Sequence, residues 1–290
     1  MKKEQVLIVG LGEVGHTLFD LLKASGQFDV HGYDSDPKKM QEICENEKLS
    51  AQVDVMHICY PCTDQEKFIA ITQGYLRKIK PALAIIDSTV PPGTTQKIYD
   101  LTKIPLVHSP IRGMHKTLET MKRDMLFWQK YVGGTTKQAA TDAKKHFEKL
   151  GLKAKILRSP VETELAKLFE TTYRAWMIAC FQEMHRISRS FGADFDEVVD
   201  MIEDVHRVDL NKPIHYPDVI GGHCLIPNTE LLLKNYDSEF LRLILKSNEK
   251  RKKEIKDEKV LEEVGKIKLR ADKLQKELAR RVGGRTRKSK

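Results

Sequence analysis

Several features are missing from this 290-residue sequence, and each absence narrows what it encodes. No run of about 18 apolar residues occurs, so no membrane-spanning helix is expected. The N-terminus carries no apolar stretch resembling a signal peptide, and the five cysteines are odd in number. The thiols are therefore expected to be reduced and the protein cytoplasmic. No internal repeat recurs, and no metal site is expected. The first 245 residues also lack an excess of either charge, with 32 Lys and Arg against 33 Asp and Glu. Such a body has no field to draw in nucleic acid. The formal net charge of +9 comes from residues 246–290, where 18 basic residues face 8 acidic ones, so any nucleic-acid contact would run through this tail.

What is present is an alternation of short apolar runs and amphipathic stretches. VLIVG (6–10), VHGYD (30–34), VMHICY (55–60), LAIIDS (83–88), IPLVHS (104–109) and YVGG (131–134) read as strands. Helical patterns fill most of the gaps, which predicts a mainly parallel sheet covered on both faces. After about residue 155 the pattern becomes helical throughout. From Val161 to Arg189, Leu165, Leu168, Phe169, Tyr173, Trp176, Met177, Cys180, Phe181, Met184 and Ile187 recur at helical spacing. A helix that long suggests the backbone of an all-helical domain and a dimer surface. Val260, Val264, Ile267, Ala271, Leu274 and Leu278 then form a short heptad stripe. The expected organisation is an α/β Rossmann domain over residues 1–155, a helical domain over 156–248, and a basic helical tail over 249–290, partly disordered.

The segment VLIVGLGEVGHTLFDLL joins a strand, a G-x-G-x-x-G turn and a helix. Gly10 permits the tight turn, Gly12 admits a pyrophosphate to the backbone, and Gly15 lets helix pack on strand. Glu13 and Val14 lie between them. Asp34 ends the second strand, where a carboxylate accepts hydrogen bonds from a ribose 2′-hydroxyl and repels a 2′-phosphate. The expected cofactor is NAD, with Pro61, Ser88 and Thr89 after the third and fourth strands also placed against it. CYPC (59–62) allows a redox pair or buried thiols. TDQE (63–66) reads as a capping box. HSPIRGMHK (108–116) follows the fifth strand at the carboxyl edge of the sheet. His108, Arg112 and His115 there could receive an anionic substrate, with a histidine as base.

STVPPGTT (88–95), VGG (132–134), ETELAKLFETTYR (162–174) and GGHC (221–224) occur in the order seen in the UDP-glucose/GDP-mannose dehydrogenase family, which residues 4–250 resemble. GGHC is most similar to the UDP-N-acetylmannosamine dehydrogenase branch. The resemblance implies NAD-dependent oxidation of a sugar 6-hydroxyl to the acid through a cysteine-bound thioester. It makes Cys224 the nucleophile and Lys167 the oxyanion partner, with Gly221, Gly222 and His223 close to substrate. Thr171 stands where the family has asparagine, Asn228 where it has aspartate, Ile111 where it has glutamate, and Cys62 where it has threonine. Asn228 cannot take a proton, and it precedes TELLLKN as a helix N-cap would. The family's further C-terminal, nucleotide-binding domain is replaced by the basic tail. Two readings stay open: a dehydrogenase acting on an alcohol of a sugar or sugar nucleotide, and a catalytically degenerate NAD-binding homologue with a binding or regulatory role.

Overall fold

The computed structural model describes residues 3–43, 52–112, 117–209 and 214–286. Two compact units make up the chain, Met1–Leu168 and Phe169–Lys290. The division falls inside a helix rather than at residue 155.

The first unit alternates strands and helices: β1 (Glu4–Val9), α1 (Glu13–Ala24), β2 (Phe28–Tyr33), α2 (Pro37–Ile43), β3 (Val55–Ile58), α3 (Gln65–Ile79), β4 (Leu83–Ile86), α4 (Thr94–Thr102), β5 (Leu106–His108), α5 (Leu118–Phe127), β6 (Lys130–Gly134), α6 (Lys137–Lys149) and β7 (Ala154–Ile156). The strands form one seven-stranded sheet in the order β2-β1-β3-β4-β5-β6-β7, parallel except where β5 meets β6. A sheet covered on both faces needs strands apolar on both faces, and VLIV and LAII supply them. Val6 and Ile8 pack with Leu18 and Leu22 of α1 and with Ala143 and Phe147 of α6. Leu7 and Val9 point the other way, to Phe68 and Leu76 of α3 and Ile98 of α4. The cap after the CYPC turn differs from expectation. Asp64, not Thr63, caps α3, its carboxylate accepting from the Lys67 N–H at 2.9 Å. The strand β7 is not among the expected ones; its three residues include a lysine and are mostly exposed.

A line of buried polar side chains crosses this unit. Glu4 Oε1 lies 2.5 Å from His146 Nδ1, His146 Nε2 lies 3.0 Å from His57 Nε2, and His57 Nδ1 lies 2.7 Å from Asp87 Oδ2. Lys130 Nζ donates to Asp87 Oδ1 at 3.1 Å and to the Ser109 carbonyl at 2.6 Å. Burial raises the Asp87 carboxyl, yet the Lys130 ammonium and His57 outweigh it and hold the group below its ordinary value.

The junction of the units is α7 (Pro160–Ser190), followed in the second by α8 (Phe195–Asp209), α9 (Leu225–Asn235), α10 (Glu239–Glu254) and α11 (Glu258–Thr286). The heptad stripe finds its apolar partner within its own unit. Ile267, Ala271 and Leu274 join a core with Phe181 of α7 and with Phe195 and Val199 of α8. Two of the tail's cations are engaged too: Lys268 pairs with Asp218 at 2.9 Å, and Arg270 with Asp196 at 2.6 Å and with Glu203. The side chain of Leu278 lies outside the described residues. The described residues contain no helix long and apolar enough to cross a membrane.

Candidate functional site

The sheet order reverses at β1, whose chain continues to β2 on one side while β3 lies on the other. In open α/β sheets a ligand crevice opens at the carboxyl ends of the strands at such a reversal. The glycine turn sits there. Gly10 has φ +94°, and a β-carbon on it would stand 2.6 Å from the Tyr60 backbone nitrogen. A β-carbon on Gly15 would meet the Gly10 carbonyl oxygen at 1.8 Å. Both positions are closed to any side chain. At Gly12, the residue before the first turn of α1, a β-carbon would meet nothing within 4 Å. The turn is thus crowded where strand and helix join and open where α1 presents its N-terminus, which fits the pyrophosphate of a dinucleotide.

Asp34 closes one side of this turn. Its carboxylate accepts from the Leu11 N–H at 2.6 Å and the Asp36 N–H at 2.9 Å, with the Lys39 ammonium 3.6 Å away. Burial raises this carboxyl, but those donors and Lys39 outweigh it and hold the group below its ordinary value. Asp34 is therefore ionised and fixed before any ligand arrives. Glu13 is exposed at the start of α1, and Val14 is half-buried against Ile111, Met121 and Met125. Pro61 is exposed just past β3. Ser88 is buried, its hydroxyl donating to the Tyr60 carbonyl at 2.6 Å, so it ties the ends of β3 and β4 together. Thr89 is half-buried beside it.

The sequence reading did not pick out Glu164. This carboxylate is fully buried and accepts from the Gly93 N–H at 2.6 Å, the Thr95 N–H at 2.9 Å and the Thr95 hydroxyl at 2.6 Å. It thereby satisfies the N-terminal donors of α4 and locks the STVPPGTT segment. The available signal was a carboxylate beside the apolar stripe of α7.

The HSPIRGMHK segment behaves differently from expectation at His108. That ring is fully buried, its Nδ1 2.7 Å from the Thr163 hydroxyl and its Nε2 3.1 Å from the Ser88 carbonyl. Burial pushes it down to about 3, opposed by the Ser88 bond and assisted by Lys130. It ties β5 to α7 and is no solvent-facing base. Arg112 stacks over Trp128 and Tyr131, with ring centroids 4.8 and 5.9 Å away. Ile111, where the resemblance leads one to expect a glutamate, is buried in an apolar cluster with Met121 and Met125. His115 lies outside the described residues.

Lys167 belongs to the first unit, while Thr171, Cys224 and Asn228 belong to the second. Lys167, Thr171 and Arg174 follow at i, i+4 and i+7 along α7. Asn228 is buried and its amide donates to the Thr171 hydroxyl at 3.2 Å. It is not an N-cap: α9 begins at Leu225, Cys224 holds the cap position, and the Asn228 N–H already donates to the Cys224 carbonyl at 2.9 Å. Cys224 is half-buried in front of that helix, outside any disulfide, next to exposed His223. Gly222 needs glycine for its φ of +80°, whereas exposed Gly221 is uncrowded. Cys59 and Cys62 do not form a disulfide, and burial pushes the Cys59 thiol well up.

Residues 161–250 match the central domain of the UDP-glucose/GDP-mannose dehydrogenase family. A UDP-N-acetyl-D-mannosamine dehydrogenase from Methanocaldococcus jannaschii is 30% identical over 264 residues, which cover 77% of this chain and 60% of that protein. This chain thus spans about three fifths of that relative's length. Among solved structures, the UDP-D-ManNAc dehydrogenase of Pyrococcus horikoshii superposes with a TM-score of 0.72 at 23% identity, covering 85% of this chain and 68% of that one. A 3-hydroxyisobutyrate dehydrogenase from Mycobacterium tuberculosis superposes at 0.64 with 15% identity, covering 88% and 95%. These superpositions concern the fold.

Proposed function

We propose that the chain is a member of the UDP-glucose/GDP-mannose dehydrogenase family and a cytoplasmic, NAD-dependent oxidoreductase acting on an alcohol of a sugar nucleotide, a reading supported by the match over residues 161–250 and by the 30% identity to the archaeal relative. The observation that carries the reading is the glycine turn, open only at Gly12, with ionised Asp34 fixed beside it. NAD, when bound, supplies the hydride acceptor. Gly10, Gly12 and Gly15 shape its seat, and Asp34 accepts from the ribose and disfavours a 2′-phosphate. Glu13, Val14, Pro61, Ser88 and Thr89 border that seat.

In this reading Cys224 is the nucleophile toward an aldehyde product, its sulfur bonding to the carbonyl carbon. Lys167 supplies positive charge to the oxygen that becomes negative. Thr171 and Asn228 position the substrate hydroxyl without accepting its proton. Gly221, Gly222 and His223 form the approach of the loop to substrate, with Arg112 and His115 toward its anionic part. A homodimer is the expected assembly.

Absorbance at 340 nm with NAD and a panel of UDP-sugars tests this. Turnover is expected, and Cys224→Ala should abolish acid formation while NAD affinity holds. A second reading, a degenerate homologue that binds NAD without turnover, is favoured by one observation: Ile111 is buried among methionines where the family has its glutamate. Calorimetric NAD binding with no turnover on the whole panel selects it.

A further inference from the structure

The whole formal net charge of +9 resides in residues 266–290. That segment holds 11 Lys and Arg against 2 Asp and Glu, while residues 1–265 hold 39 of each kind. Most of it lies on α11, which sorts its cations by face. Val260, Val264, Ile267, Ala271 and Leu274 are buried along one side of the helix. On the flanks of that stripe, Lys268 reaches Asp218, and Arg270 reaches Asp196 and Glu203, so both charges are neutralised within the unit. Lys266 and Lys273 follow at i and i+7 on the opposite side, with Lys276 beside them. Arginine at 280 continues that row in the sequence. Lys273 and Lys276 are exposed and make no ion pair among the described residues. Lys266 meets only Glu262, one turn back at 3.3 Å, a surface pair of little strength. Of the two acids in 266–290, Glu277 is held by Arg207 at 2.8 Å and Asp272 is exposed. The outer face of α11 therefore carries positive charge that the chain itself leaves uncompensated.

The chemistry of this face selects among polyanions. Single-stranded nucleic acid is held by stacking its bases on aromatic side chains. Residues 241–290 contain no Phe, Trp or Tyr. A helix that lies on an anionic membrane sinks its apolar side into the lipid. That side of α11 is already packed with Phe181 and Val199 in the core of its own unit. Leu269, 74% exposed, is a single apolar residue within the basic row. The outward cations of the row are lysines, compact point charges suited to phosphates rather than to the bidentate reading of base edges. A double helix offers phosphates at about one per 1.7 Å of its axis, dense enough for a rigid row of cations to find partners along its length.

We propose that the outer face of α11, with the basic residues that follow it, binds the phosphate backbone of duplex nucleic acid without reading its sequence. The segment lies outside the 161–250 match, and the proposal does not rest on the dehydrogenase reading.

The test is fluorescence anisotropy of labelled duplexes of about 20 base pairs, two DNA sequences and one RNA, titrated with the full chain at several salt concentrations. Saturable binding that ignores sequence is expected. Neutralising about six phosphates gives a log–log salt slope near −5 and a loss of roughly 10³-fold between about 50 and 200 mM salt. Equal binding of DNA and RNA duplexes identifies the shared phosphodiester backbone, and a preference identifies which of the two is the source. Replacing two outward cations together, Lys273→Gln with Lys276→Gln, should flatten the slope by about 1.8 and weaken binding about 60-fold at 0.1 M salt, with unchanged circular dichroism. Lys145→Gln, which removes an exposed lysine of α6, should leave the slope where it was. A slope shallower than about −2 would overturn the proposal, as would a double variant on the unmodified line. Tighter binding to single strands, or to phosphatidylserine vesicles, would overturn the choice of a duplex.

Discussion

Replacing Asp87 by asparagine tests the logic of the buried polar line most directly. Asp87 is fully buried in its side chain and Lys130 is 6% exposed, with 3.1 Å between them. Two unit charges at that distance interact by about 5 kcal/mol at an effective dielectric of 20. Removing one partner of a buried pair costs about 3–5 kcal/mol, because the other charge stays behind without compensation. Asparagine still offers an oxygen to His57, so the loss falls mainly on Lys130. The expected drop in melting temperature is on the order of 10 °C, taking roughly 2–4 °C per kcal/mol for a unit of this size. The sign with pH follows. In the wild type, Asp87 is held below its ordinary value. Its stabilisation is therefore complete above the unfolded carboxyl range near pH 4, and is lost as pH falls through the lower folded value. In the variant, Lys130 loses its partner and binds its proton more weakly than in the unfolded chain. Stability of the variant should then rise with pH in the alkaline range relative to wild type. Urea unfolding between about pH 3 and 9.5 measures both effects. Adding Lys130→Met to the variant should recover most of the loss. If Asp87→Asn is as stable as wild type, or if the double variant is no better than the single one, the account of this pair is wrong.

Three further outcomes are expected. Asp34→Asn keeps an acceptor for Leu11 but removes the charge, so NAD should bind about 10–100-fold more weakly and NADP should be discriminated against less; calorimetry with both cofactors checks this. Ile111→Glu, which restores the family's residue, should not restore chemistry but destabilise the first unit by several kcal/mol, since the carboxylate would be placed among Met121 and Met125; thermal melts decide, and an unchanged melt with gained turnover refutes it. Truncation at residue 257 should unfold the helical unit, not merely change its assembly, because it removes Ile267, Ala271 and Leu274 from the core with Phe181 and Val199; near-ultraviolet circular dichroism of Trp176 and proteolysis report the outcome.

Much of the architecture is written in periodicity. VLIV and LAII are apolar at every position because both faces of a parallel strand are covered, and α7 is legible because its stripe is long. Gly10, Gly15 and Asp34 are legible because backbone crowding and a fixed acid leave few alternatives at those positions. His108 is not legible. A histidine near the carboxyl edge of a sheet looks reactive until its two partners, Thr163 and Ser88, come from segments 55 and 20 residues away. Lys130 and His57 fail for the same reason: single polar residues in strands reveal nothing of a line assembled from four other segments. The heptad stripe of α11 implies an apolar partner, but periodicity carries no information on which surface supplies it.

The placement of α11 also sets an order of events in time. The first unit is complete in sequence at Leu168, whereas the core of the second needs Leu274 before it can close on Phe181 and Phe195. At translation rates of about 5–20 residues per second, the intervening stretch takes roughly 5–20 s to synthesise. Once α7 and α8 are made, their apolar faces stay uncovered for the rest of that interval. The α/β unit can fold as it emerges, while the helical unit must wait for its last helix, so a stalled or prematurely released chain exposes that surface to chaperones and to aggregation.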